Sequence, residues 1–113
     1  MILNNYKKKN KIILVTGSSR GIGLNIALSL MKSNSKVIIN GRKKTQLKKI
    51  VKKYPQLDYV CGDLSDIKTT KSISTEIEKK YKRIDVLVCN IGESKSCMPT
   101  KETYNEWIKM FNQ

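Results

Sequence analysis

The run Lys11-Ile12-Ile13-Leu14-Val15-Thr16 leads straight into Gly17-Ser18-Ser19-Arg20-Gly21-Ile22-Gly23. A short β-branched apolar run without polar alternation reads as a strand buried on both faces, the kind found in parallel sheets. Beyond the glycines, Ile22, Ile26, Ala27 and Leu30 recur at helical spacing as far as Met31, and Leu24, Leu28 and Met31 widen the stripe. A buried strand, a glycine turn and a helix in immediate succession leave few folds open. They also predict a site. The free N–H groups at a helix start carry the positive end of its dipole, so the turn can hold an anion. Glycine permits a sharp turn and close approach of a pyrophosphate and of the strand, so Gly21 and Gly23 are expected to have no room for a side chain.

The same alternation continues. Lys36–Asn40 reads as a second strand, closed by Gly41. Leu47, Ile50, Val51 and Tyr54 mark one face of a helix over 45–54, with Thr45 as its expected N-cap and Pro55 as its stop. Leu57–Cys61 is a third strand, less apolar and therefore expected at an edge. Asp66–Tyr81 is a third helix with Ile73, Ile77 and Tyr81 in register, and Asp85–Cys89 is a fourth strand. A loop over 90–101 leads to a helix over 102–113, with Trp107, Ile108 and Phe111 expected on its inner side. Strands separated by helices of this length build a parallel sheet with right-handed crossovers. All 113 residues are expected to form a single domain.

Composition narrows the function. There is no His, and Cys61, Cys89 and Cys97 have no CxxC spacing, so neither a zinc site nor a disulfide framework is expected. The basic residues at the N-terminus follow only a very short apolar stretch, and no run approaches a membrane span. A cytoplasmic protein without membrane or metal is the expectation. The net charge of +14 raises nucleic acid as a partner. The basic residues are spread over the whole chain, most of them in 7–11, 43–53, 79–83 and 95–109, and are nearly all Lys, whereas specific readout favours Arg forks interleaved with aromatics. They read as solvated helix faces, and nucleic acid is not the expected partner.

The spacing Thr16-Gly17-x-x-x-Gly21-x-Gly23 resembles the TGxxxGxG motif of the short-chain dehydrogenase/reductase family. Asp63-Leu64 resembles the family's acidic position after the third strand, which contacts adenine. Asn90-Ile91-Gly92 is similar to its Asn-Ala-Gly motif, with Ile91 in place of Ala, and Glu106-Trp107 resembles the start of the long helix that follows. The resemblance covers residues 11–113 and implies an α/β fold: a Rossmann-like doubly wound parallel sheet, incomplete at about four strands. It implies a cofactor site of Gly17, Ser18, Ser19, Arg20, Gly21, Ile22, Gly23, Arg42, Asp63, Leu64, Asn90, Ile91 and Gly92. It also implies a carbonyl or alcohol substrate and a homo-oligomer for the complete protein.

In dinucleotide folds an acidic residue after the second strand holds the NAD ribose, whereas a basic residue accommodates the 2′-phosphate of NADP. Here Gly41 stands at that position and Arg42 follows. Arg20 and Arg42 are two of only three Arg in the chain, so NADP is the expected cofactor rather than NAD. The family's chemistry resembles hydride transfer assisted by a Ser, a Tyr and a Lys four residues after the Tyr. The residues four past each Tyr are Asn10, Asp58, Asp63, Asp85 and Ile108. The family's catalytic Asn would fall one position past Gln113, and Asn112 is two residues too early. No catalytic residue is therefore assigned. The chain is expected to be the cofactor-binding front half of an NADP(H)-dependent oxidoreductase, inactive alone. The alternative is a non-catalytic nucleotide-binding remnant or regulatory module.

Overall fold

The computed structural model describes residues 10–91 together with Tyr104, Asn105 and Ile108. Four strands, β1 (Ile12–Val15), β2 (Lys36–Gly41), β3 (Asp58–Cys61) and β4 (Val86–Val88), alternate with three helices, α1 (Gly21–Met31), α2 (Lys44–Lys53) and α3 (Ile67–Tyr81). All strand pairs are parallel, in the order β3-β2-β1-β4, with Leu14 opposite both Ile38 and Leu87. The expected parallel α/β sheet is what forms, with β3 at an edge.

Alternate residues of the central strands divide the core between two faces. Ile13, Val15, Val37 and Ile39 pack with Ala27 of α1 and Leu47 of α2. Ile12, Leu14, Ile38 and Val60 pack with Ile73 and Ile77 of α3. Helices therefore cover both faces, as in a doubly wound sheet. Every residue of β1 is buried, as a strand covered on both faces requires. The strand order reverses between β1 and β4, where open α/β sheets place their ligands.

Helix boundaries follow local chemistry, with corrections. The Asp66 carboxylate accepts from the Thr69 N–H at 3.0 Å and its hydroxyl at 2.7 Å, capping α3. Thr45 does not cap α2: the helix starts a residue earlier, after Lys43, with no side-chain cap. Ile22 is 74% exposed and leaves the apolar stripe, because the first turn of α1 overhangs the end of the sheet. Tyr104, Asn105 and Ile108 are helical, but Ile108 is exposed instead of facing inward. Trp107, Phe111 and the rest of that expected helix lie outside the described residues.

Candidate functional site

The loops after β1, β2, β3 and β4 gather at the C-terminal ends of the strands, bringing twelve expected site residues to one end of the sheet, from Gly17 to Ile91; Gly92 lies outside the described residues. The glycine turn is held by a polar scaffold. Ser18 is fully buried; its hydroxyl donates to the Val15 carbonyl at 2.6 Å and accepts from the Asn40 N–H at 2.9 Å. Its own N–H donates to the Asn40 carbonyl at 2.8 Å. Ser18 thus faces the scaffold, whereas Arg20 and Ile22 face solvent.

Two glycines are required for different reasons. A Cβ on Gly23 would overlap the Gly17 carbonyl oxygen and sit 2.5 Å from Asn90 Nδ2, so any side chain would force α1 away from β1 and β4. Gly21 has nothing within 4 Å of a Cβ, so the expected lack of room there is not found. Its constraint is φ of +59°, a left-handed conformation costly for any residue with a Cβ.

Arg20 takes the N-cap position of α1 in an extended conformation without a side-chain hydrogen bond, and no acidic residue occupies the first turn. The leading N–H groups of α1 have neither an intrahelical acceptor nor a capping side chain, which suits an anion. Asn90 closes the other side of the turn. Its Nδ2 donates to the Gly17 carbonyl at 3.1 Å, and its N–H donates to Thr16 Oγ1 at 2.9 Å. Ile91 is exposed, with Cγ1 3.3 Å from where a Gly17 Cβ would lie.

A Cβ on Gly41 would lie 2.8 Å from the Ser19 side chain and 3.3 Å from Leu47. The position that would carry an NAD-type carboxylate is closed to side chains by the turn itself. Gln46 Nε2 donates to the Ser19 carbonyl at 3.2 Å and draws α2 toward the turn. Arg42 is exposed beside this seam. The Asp63 carboxylate accepts from the N–H and hydroxyl of Ser65 at 2.9 and 2.6 Å; these bonds, with the charge of Arg42, hold it below the usual carboxylate range. Leu64 is half-buried against the α3 side of the core. The residues present fit an adenine dinucleotide: an uncapped helix start, a glycine-rich turn, no carboxylate directly after β2 and two exposed arginines.

Sequence reasoning passed over Asn40 and Gln46, and used Thr16 only as the first residue of the glycine motif. Asn40 left a signal, a lone amide closing the apolar run Val37-Ile38-Ile39. Among the described residues no three His, Cys, Asp or Glu converge as a metal site, and no helix is long and apolar enough to cross a membrane.

The sequence profile described as short chain dehydrogenase matches residues 11–113. An uncharacterised oxidoreductase of Saccharomyces cerevisiae is 34% identical over 106 residues, covering 90% of this chain and 42% of the relative. Its crystal structure superposes with a TM-score of 0.75 over 91% of this chain and 42% of that one. A glucose 1-dehydrogenase of Gluconobacter oxydans is 37% identical over 94 residues, covering 77% of this chain and 35% of the relative. The crystal structure of an NADPH-dependent reductase involved in bacilysin biosynthesis matches with a TM-score of 0.74 at 29% identity, over 93% of this chain and 47% of that one. The chain spans about two fifths of the length of the curated relatives it matches.

Proposed function

The chain belongs to the short-chain dehydrogenase family, and from that premise we propose that residues 11–113 are the NADP(H)-binding half of an oxidoreductase acting on a carbonyl or alcohol. The observation that carries the reading is the seam between the glycine turn and β2. There Gly41 leaves no space for a carboxylate, and Arg42 follows it. The cofactor, when bound, supplies or accepts the hydride. The chain's own residues bind and orient. The N–H groups leading α1 meet the pyrophosphate, Arg20 and Arg42 flank the 2′-phosphate, and the loop at Asp63-Leu64 meets adenine. Asn90 and Ile91 border the turn on the β4 side. Proton transfer is assigned to groups outside these residues. A cytoplasmic location and a homo-oligomeric whole protein belong to the same proposal.

Calorimetric titration tests the cofactor assignment. NADPH is expected to bind more tightly than NADH, and Arg42→Ala to narrow the gap roughly 10- to 100-fold, the scale of charge-assisted hydrogen bonds to a phosphate. Gly23→Val is expected to abolish binding of both. Equal affinities of the wild-type chain for NADPH and NADH would overturn the assignment.

A further inference from the structure

Asn40 is 2% exposed and uses its whole side-chain amide. Its Oδ1 accepts from the Gly17 N–H at 3.2 Å, while its Nδ2 donates to the Val60 carbonyl at 3.3 Å and the Gly62 carbonyl at 3.1 Å. We propose that Asn40 is a positioning residue that locks the glycine turn to the loop after β3, so that both loops meet one dinucleotide as a single rigid frame. The inference rests on the NADP(H) reading above.

β1 and β3 never touch, because β2 lies between them. Their ladders hold them in register only as far as Val15 on one side and Cys61 on the other. Beyond those points the two loops diverge from β2 on opposite sides, and each needs its own tie. Backbone bonds supply one tie apiece: Ser18 N–H to the Asn40 carbonyl, and Gly62 N–H to the Gly41 carbonyl at 2.9 Å. The Asn40 side chain joins the two sides directly. One acceptor faces the turn and two donors face β3, a combination that a neutral amide of this length offers. Aspartate has no N–H for the Val60 and Gly62 carbonyls, and leucine offers neither an acceptor for the Gly17 N–H nor a donor for the two carbonyls. An apolar residue would suit a position this buried better, so an amide here implies a task beyond core packing.

The task follows from the size of the ligand. The proposed pyrophosphate contact lies on the Gly17 side and the proposed adenine contact on the Asp63 side. Two contacts made by one molecule reinforce each other only while their spacing is fixed; a frame that must be ordered on binding loses that gain.

Asn40→Asp and Asn40→Leu test this, with Val37→Ala as a control at the far end of β2, in a core cluster that includes no residue of either loop. NADPH affinity is measured by calorimetry at a temperature where circular dichroism shows each variant folded. Asn40→Asp is expected to lose ~10-fold or more in NADPH affinity through the lost fixed spacing, while Val37→Ala binds as the wild type does despite a lower melting temperature. Asn40→Asp keeps the shape and one acceptor, so it serves should Asn40→Leu not fold. Wild-type affinity in folded Asn40→Asp would overturn the positioning role alone. A wild-type chain that binds no NADPH would overturn the dinucleotide reading, and the role of Asn40 with it.

Discussion

At one edge of the sheet β3 is tied to the rest of the chain from several directions; at the other, β4 pairs with β1 and with no other described strand. Leu57 and Val60 are buried, and Tyr59 and Cys61 pack against the α1–α2 side of the core. Asp58, at the start of β3, bonds Lys80 at 2.6 Å and the Tyr81 hydroxyl, tying the edge to the end of α3. On β4, Leu87 is 55% exposed and Val86 36%, with exposed Ile84 and Ile91 at either end. An edge blunted by charge and cover resists pairing with other chains, whereas a bare apolar edge invites it. Among the described residues the same sheet thus has a finished side and an open one. The curated relatives are more than twice as long as the segment they share with this chain.

The largest effect expected from this contrast is in the core beneath the finished side. Leu47 is fully buried between α2 and the sheet. Leu47→Ala is expected to cost about 2–5 kcal/mol in urea unfolding, through lost burial and the cavity left behind. A cost under about 1 kcal/mol would mean that the site collapses freely and that this side is no better packed than β4.

An intermediate effect is expected at Asp58. Burial alone would raise its carboxyl, but the bonds from Lys80, the Tyr81 hydroxyl and the Tyr59 N–H outweigh it and hold the group below the usual carboxylate range. Burial and the same carboxylate push the Tyr81 hydroxyl well above its ordinary value. A lowered acid contributes stability that is complete above its unfolded pKa of about 4 and is lost as the pH falls through its folded value. A raised phenol contributes below about pH 10 and loses that contribution as the pH rises further. Tyr81→Phe is expected to cost about 0.5–1 kcal/mol at pH 7, allowing for solvent screening of a half-buried pair, and less at pH 3. The same cost at both pH values would show that the carboxylate is not the partner that matters.

The sequence made the layers legible because burial on two faces writes itself as unbroken apolar strands and helical stripes. Ile13, Ile38 and Leu47 were readable as core for that reason. Ile22 was not, since periodicity reports the face a helix turns inward but not where the sheet beneath it ends. Asn40 was hidden by its position: an amide ending a strand looks like a turn residue until β3 is known to pass beside it. The requirement for Gly21 was misread as one of space because φ is not written in a glycine pattern. Charge was only half legible. The cations are spread along the chain, but no Asp or Glu precedes Asp58, so the whole excess of +14 resides in residues 1–57, while the 9 cations and 9 acids that follow cancel.

That charge distribution shapes the last and smallest expected change in stability, at Leu87. Its side chain is already half in water, so Leu87→Lys is expected to alter the free energy of unfolding by no more than about 0.5 kcal/mol. Association is where the variant is expected to differ. Between Ile84 and Ile91 the only charged residue is Asp85, and Arg83 binds it at 2.9 Å. The bare edge therefore carries little charge of its own, and its protection from other copies comes from the excess held in the first half of the chain. Such protection acts over a distance and fades as the screening length drops from about 10 Å at 0.1 M salt to about 3 Å at 1 M. Light scattering is expected to show the wild-type chain associating as salt rises. Leu87→Lys places a cation on the edge itself and is expected to remain monomeric further up the series. Equal association of the two chains across the salt series would place the contact elsewhere and remove β4 as the open side of the molecule.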